Sequence, residues 1–269
     1  MYPELLKIGP LTVHTYGFFV ALGMLVGTYL ADYLYRKDGG EPGIVPDMAL
    51  FVIAGAIIGA RALFIFLNLD HYRADPLQIL MIWRGGLVFY GGLIGGSIAF
   101  ILTARLKGLD LWRLADNVAP GLTMGHALGR LGCFFAGSCY GKPTDVPWAV
   151  IFTDPRSLAV NILGVPVHPV QLYSSVALLG LTVVLLKVRS RSVFTGQVIA
   201  VYGILYGILR FSMEFFRGDP RGFLTVSGIT LSTSQVVSLI IVPLAASAYI
   251  IFSRRGRIRS LAGLDGSAA

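Results

Sequence analysis

The chain has 269 residues, 55% of them hydrophobic and only 13% charged, about half the roughly 25% charged content of a soluble domain. That composition excludes a water-soluble globule and a disordered chain, and the lack of a Gly-X-Y period excludes collagen. The formal net charge of +8 reports membrane orientation first in so apolar a chain, and no nucleic-acid partner is expected.

Apolar segments long enough to cross the hydrocarbon core, about 20 residues each, lie near 14–35, 47–68, 86–105, 114–138, 170–188, 196–216 and 234–253. The reading is an all-α integral membrane protein, a single polytopic domain over residues 1–269, with seven transmembrane helices. Only Lys7 precedes the first segment and no small-x-small site follows it, so it is expected to stay as a span rather than be removed as a leader. Between the fourth and fifth spans, residues 139–169 include GKPTDVPWAVIFTDPRSLAVNILGVPVHP, rich in Pro and Gly. This stretch reads as a small ordered extracytoplasmic cap over a site. No internal repeat of the inverted-transporter kind is visible.

Sorting the 22 basic residues by alternate sides groups Arg36, Lys37, Arg105, Lys107, Arg113, Lys187, Arg189, Arg191, Arg254, Arg255, Arg257 and Arg259. The opposite side receives Lys7, Arg73, Arg84, Lys142, Arg156, Arg217 and Arg221. The positive-inside rule places the larger group in the cytoplasm, with the N-terminus outside, the C-terminus inside and the tail SRRGRIRS a cytoplasmic anchor. Arg61, Arg130 and Arg210 remain, each written into an apolar segment. Charge at that depth costs about 2.5–3.5 kcal/mol on insertion scales, so each needs a partner or a polar cavity.

The fourth span carries Asp116, His126 and Arg130, and the spacing of four puts the last two on one helix face. A polar face inside a membrane marks a cavity; the plain alternative is helix packing with an Arg–Asp pair. The run GRLGCFFAGSCYG follows, with Gly129, Gly132, Gly137 and Gly141 open to close backbone approach. In the sixth span Tyr206, Arg210 and Glu214 recur every four residues and Arg217 comes three later. Arg210 can pair with Glu214 along that stripe. Arg130 and Arg210 facing one cavity would make a fork for a phosphate or carboxylate, against the alternative of two unrelated ion pairs. Tyr90, between glycine pairs in WRGGLVFYGGLIGG, reads as an interfacial anchor or a site residue. His14 and Tyr16 in HTYG, and His168 and Tyr173 in HPVQLY, lie at the same outer depth. Cys133 and Cys139 are too few for a disulfide framework and their spacing is not that of a zinc site, so they read as packing residues rather than lipid acceptors. No metal or cofactor is called for.

HTYG at 14–17, GAR at 59–61, W-x-GGL-x-x-YGGLIGG at 83–96, DNVAP at 116–120, GRLG at 129–132, HPVQLY at 168–173 and LYGILRFSMEFFR at 205–217 together resemble the prolipoprotein diacylglyceryl transferase family, over nearly the whole chain. The resemblance implies transfer of the diacylglyceryl group of phosphatidylglycerol to the lipobox cysteine thiol of a prolipoprotein. The products are a thioether and glycerol phosphate, in the first step of bacterial lipoprotein maturation. It also implies a bacterial inner-membrane protein, N-terminus out and C-terminus in, in agreement with the charge sorting. Its partners would be phosphatidylglycerol, the lipobox peptide and membrane lipids. Arg130, Gly141, Tyr16, Tyr206, Arg210, Glu214 and Arg217 match the family pattern. Tyr90 stands where the family usually has a histidine proposed as base, Cys133 where the signature has Asn, and Ser138 where it has Glu.

On this reading Arg130 and Arg210 bind the phosphate and stabilise charge on the leaving group, with Glu214 orienting Arg210. Tyr16, Tyr206, Arg217, Gly141 and His14 complete the substrate site. The proton of the substrate thiol goes to His126, or the arginine field itself favours the thiolate, while Tyr90 acts as base or orients the headgroup. The competing readings are a non-enzymatic lipid binder or transporter and a paralogue with another acceptor. The inner halves of the spans carry no second polar run, which weighs against a through-membrane path.

Overall fold

The computed structural model describes residues 2–9, 11–74, 76–81, 85–220, 222–226 and 229–261. Trp83, Arg84 and Arg221, used in the motif and charge arguments, lie outside the described residues. In chain order the elements are β1 (Glu4–Ile8), β2 (Leu11–His14), α1 (Thr15–Lys37), α2 (Ile44–Leu67), a short α3 (Leu69–Ala74), α4 (Phe89–Leu106) and α5 (Leu111–Ala136). They continue with β3 (Val150–Ile151), β4 (Pro166–Val167), α6 (Val170–Arg189), α7 (Gln197–Met213), β5 (Phe223–Val226), β6 (Ile229–Ser232) and α8 (Thr233–Leu261). The chain is all-α, as expected, and among the described residues it also carries three short two-stranded antiparallel hairpins, β1–β2, β3–β4 and β5–β6.

Among the described residues, six helices are long and apolar enough to cross a membrane: α1, α2, α4, α6, α7 with its 3-10 extension, and α8. This is an integral membrane helical protein. The seventh long helix, α5, has 26 residues but carries Asp116, Asn117, Pro120, His126 and Arg130, and so falls short on composition rather than length. The last helix, α8, runs on to Leu261, so Arg254 and Arg255 continue it.

The chain divides into two compact units, Asp32–Leu114 and the remainder, Met1–Ala31 with Ala115–Ala269. Within the smaller unit, α2 and α4 meet through glycines spaced by four. A Cβ at Gly55 would stand 2.9 Å from the Gly95 carbonyl oxygen, and one at Gly59 would overlap the Gly91 carbonyl oxygen. Apolar lipid gives helices no hydrophobic reason to associate, so this close backbone contact supplies the attraction. Arg61, buried on α2, donates to the backbone carbonyls of Gln78 (2.5 Å), Ile79 (3.0 Å), Gly85 (2.8 Å) and Gly86 (3.2 Å). Its guanidinium also lies over the rings of Phe64 and Tyr72, at 5.8 and 5.3 Å. The cost of this intramembrane charge is therefore met by carbonyl oxygens and π-faces.

In the larger unit the same device joins α1 to α5. A Cβ at Gly23 would stand 2.5 Å from the Gly125 carbonyl oxygen, and one at Gly27 2.6 Å from that of Gly121. Hydroxyls tie α5 to α6, Thr123 Oγ1 to Thr182 Oγ1 at 2.8 Å and Ser175 Oγ to the Ala127 carbonyl at 2.9 Å. Asp116 accepts the N–H groups of Gly196 (2.7 Å) and Ile199 (2.8 Å). It thus caps the N-terminus of α7.

Candidate active site

A narrow cleft opens between α5, α6 and α7 in the larger unit, lined by His126 and Arg130 of α5, Ser174 and Leu178 of α6, and Tyr206, Leu209, Arg210 and Met213 of α7, with Arg217 just beyond. The two expected polar stripes therefore face one cavity. Arg130 Nε donates to His126 Nε2 at 3.3 Å, one helical turn earlier. The His126 ring is tilted against Tyr206 at 5.7 Å, and Tyr206 stacks on Tyr202 at 5.4 Å. Each ring restricts the next, so the imidazole holds the guanidinium on the cleft side of α5.

Arg210 is held more firmly. Its Nη1 pairs with Glu214 Oε2 and its Nη2 donates to Ser234 Oγ of α8 at 2.6 Å. The Glu214 side chain is only 2% exposed and that of Arg210 18%. The carboxylate is thus the buried anchor, and the guanidinium is the part that reaches the cleft. Sequence reasoning missed Ser234; its signal was a run of hydroxyls, Ser232, Thr233 and Ser234, leading into the last apolar helix.

Arg217 forms a forked pair with Asp219, Nε to Oδ1 at 2.9 Å and Nη2 to Oδ2 at 2.6 Å. Its backbone is stitched to the segment after α5. Gly141 and Arg217 form an antiparallel bridge, Lys142 N donates to the Phe216 carbonyl (2.8 Å) and Gly218 N to that of Tyr140 (3.0 Å). A side chain at Gly141 would stand 2.6 Å from His168 Cβ and overlap the His168 carbonyl oxygen. Glycine is required there for this contact, and the contact places Arg217.

The segment expected as a cap is ordered around Tyr140, Phe152, Ala159 and Val167, with Val150 paired to Val167 and Ile151 to Pro166. Tyr173 OH accepts from Trp148 Nε1 at 2.6 Å and lies 3.4 Å from His168 Nδ1. Arg156 bonds Asp154 through its side chain and its backbone N–H, which holds that carboxyl down to about 2, and also reaches Glu4 of β1 at 3.1 Å.

Of the other expected site residues, Tyr16 lies on the first turn of α1, where its Cα would be 3.3 Å from a Cβ at Gly132. His14 ends β2 opposite Glu4. Neither these two nor Gly141 is among the described lining residues of the cleft. Tyr90 belongs to the smaller unit, on the first turn of α4, edge-to-face with Phe89 at 5.7 Å.

Fold and site together define a class: a polytopic helical membrane protein with a cleft that presents arginines, each oriented by a polar partner. The sequence profile of the prolipoprotein diacylglyceryl transferase family matches residues 3–251, and the chain belongs to that family. It is 37% identical over 239 residues to the phosphatidylglycerol–prolipoprotein diacylglyceryl transferase of Clostridium tetani, covering 89% of this chain and 93% of the relative. The enzyme of the same name from Bordetella bronchiseptica is 36% identical, with 94% and 95% covered. That from a Nostoc species is 33% identical, with 94% and 90% covered. The chain is therefore a transferase of the lipoprotein-modifying class.

Proposed function

We propose that this protein transfers the diacylglyceryl group of phosphatidylglycerol to the lipobox cysteine thiol of a prolipoprotein, and that Arg130 and Arg210 hold the phosphate during the step. The observation that carries the assignment of residues is the convergence of the two guanidiniums on one cleft, each fixed by its own partner. The thiol gives up its proton to water, and its sulfur attacks the diacylglyceryl carbon that bears the phosphate ester. A carbon–sulfur bond forms, the carbon–oxygen bond breaks, and its electron pair leaves on the phosphate oxygen as glycerol phosphate. Fixed guanidiniums at that oxygen stabilise the charge as it appears, without reorganisation during the step. Tyr206 and Arg217 bound the same cleft and complete the headgroup site. The proposal includes α5 as a seventh membrane crossing, with the N-terminus outside, the C-terminus inside and residues 139–169 as an extracytoplasmic cap.

The lone pair that His126 would use as a base is already committed to Arg130. We assign His126 to positioning that guanidinium, and ionisation of the substrate thiol to the field of the two arginines. His126→Gln, whose amide oxygen accepts the same bond, is expected to keep its rate within about threefold with an unmoved pH profile. His126→Ala should lose about tenfold. A glutamine variant whose activity collapses and whose pH profile changes would make His126 the base.

The function is tested by incubating the purified protein with phosphatidylglycerol micelles and a lipobox peptide. Mass spectrometry should show a diacylglyceryl increment on the peptide cysteine, matched by released glycerol phosphate. A folded protein that binds phosphatidylglycerol but leaves the peptide unmodified would favour the paralogue with another acceptor.

A further inference from the structure

The last turn of α5 does something a transferase site does not require: it brings the chain's only two cysteines together. Gly137, at φ +76°, ends the helix in the left-handed region, and Ser138 N bonds back to the Cys133 carbonyl at 3.0 Å. Cys139 then adopts φ +57° itself, uncommon for a residue with a Cβ. The reversal turns Cys139 back toward Cys133, so that the two thiols are near enough to interact. Three further bonds hold the turn: Gln171 Nε2 to the Ser138 carbonyl (2.7 Å), Leu158 N to that of Ala136 (2.8 Å) and Gly218 N to that of Tyr140 (3.0 Å). Both cysteines are partly exposed residues. The Cys133 hydrogen bond, then the charges of Arg217 and Arg130, draw the Cys139 thiol below the usual thiol range against the opposing effect of burial.

We propose that Cys133 and Cys139 form a redox-active dithiol, oxidised by a small-molecule disulfide to an intramolecular bridge that slows the transferase. Cys139, as thiolate, attacks one sulfur of the small disulfide; that S–S bond breaks and the expelled thiolate takes up the proton Cys139 has released. Cys133 then attacks the Cys139 sulfur, closing the bridge, and the second expelled thiolate takes the Cys133 proton. Two protein thiols are oxidised and one disulfide is reduced to two thiols.

The bridge acts on the site through the backbone. A covalent S–S bond of about 2.05 Å is much shorter than a thiol–thiol hydrogen bond, so the last turn of α5 and the segment after it must draw together. Arg130 lies one turn before Cys133, and Gly141, whose bridge to Arg217 places that residue, lies just beyond Cys139. Both ends of the movement therefore reach the cleft.

The test uses the reduced full-length protein in phosphatidylglycerol micelles, treated with oxidised glutathione and then freed of it. The expected result is a mass loss of about 2 Da with a Cys133–Cys139 cross-linked peptide. Peptide modification should slow by about fivefold or more, return with dithiothreitol, and be insensitive to the oxidant in Cys139→Ser relative to that variant's own untreated rate. Two alkylatable thiols after treatment, persistent glutathione adducts, or a bridge with an unchanged rate would each overturn the proposal. If Cys139→Ser does not fold, the mass and rate of the parent protein decide. The rate readout rests on the transferase reading, whereas the mass readout does not. A bridge in a protein that modifies no peptide even when reduced would therefore point to a failure of the transferase reading.

Discussion

Replacing Arg210 by Ala is expected to lower peptide modification by about a thousandfold. The substitution removes a guanidinium that Glu214 and Ser234 hold in place, and with it the charge aimed at the departing phosphate oxygen. It also strips a nearly buried carboxylate of its cationic partner, and breaking such a pair costs about 3–5 kcal/mol. Loss of activity in the single variant therefore mixes chemistry with stability. The double variant Arg210→Ala, Glu214→Gln separates them, because a neutral amide needs no counter-charge. It should regain the thermal stability lost by the single variant while remaining inactive. Arg210→Lys keeps the charge but not the planar fork, and is expected to fall between the two, about a hundredfold below the parent. Measuring modification rate and unfolding temperature on the same preparations checks all three. A folded Arg210→Ala protein with full turnover would remove Arg210 from the mechanism.

Periodicity carried much of this site. Spacings of four placed His126 with Arg130 and Arg210 with Glu214 on single helix faces, and both pairs are present as bonded neighbours. The cost of burying arginine also pointed correctly to Arg61 having partners, although nothing in the pattern could show that these are backbone carbonyls some 17 to 25 residues along the chain. Long-range polar contacts were the part that could not be read. Ser234 reaches Arg210 from 24 residues away, and Asp116 caps a helix 80 residues later, because tertiary packing decides which polar side chain meets which orphan backbone group. The three hairpins were missed for a related reason. Their strands are two to five residues long, too short for period-two alternation to stand out beside apolar spans. Residue 139 shows the same limit, since a cysteine in the left-handed region has no signature in composition or spacing.

Gly59→Val should destabilise the protein as strongly as any single change outside the cleft, because its Cβ would be driven into the Gly91 carbonyl and stand 2.9 Å from the Cα of Gly95. Backbone on both sides leaves nothing flexible to move aside, so α2 and α4 must separate and lose the close contact that holds them in lipid. Overpacking of a rigid contact costs about 1–3 kcal/mol or more, and the expected result is an unfolding temperature about 5–10 °C lower in detergent, followed by circular dichroism. The control is another helical glycine. Gly180 of α6 has no atom within 4 Å of the position a Cβ would take, so Gly180→Ala meets no obstacle and gains the helix propensity that glycine lacks, about 1 kcal/mol. It should unfold at the same temperature as the parent or a few degrees above it. Equal losses from both variants would mean that glycine is needed along these helices for backbone conformation in general. A loss confined to Gly59 would assign it to the α2–α4 contact itself.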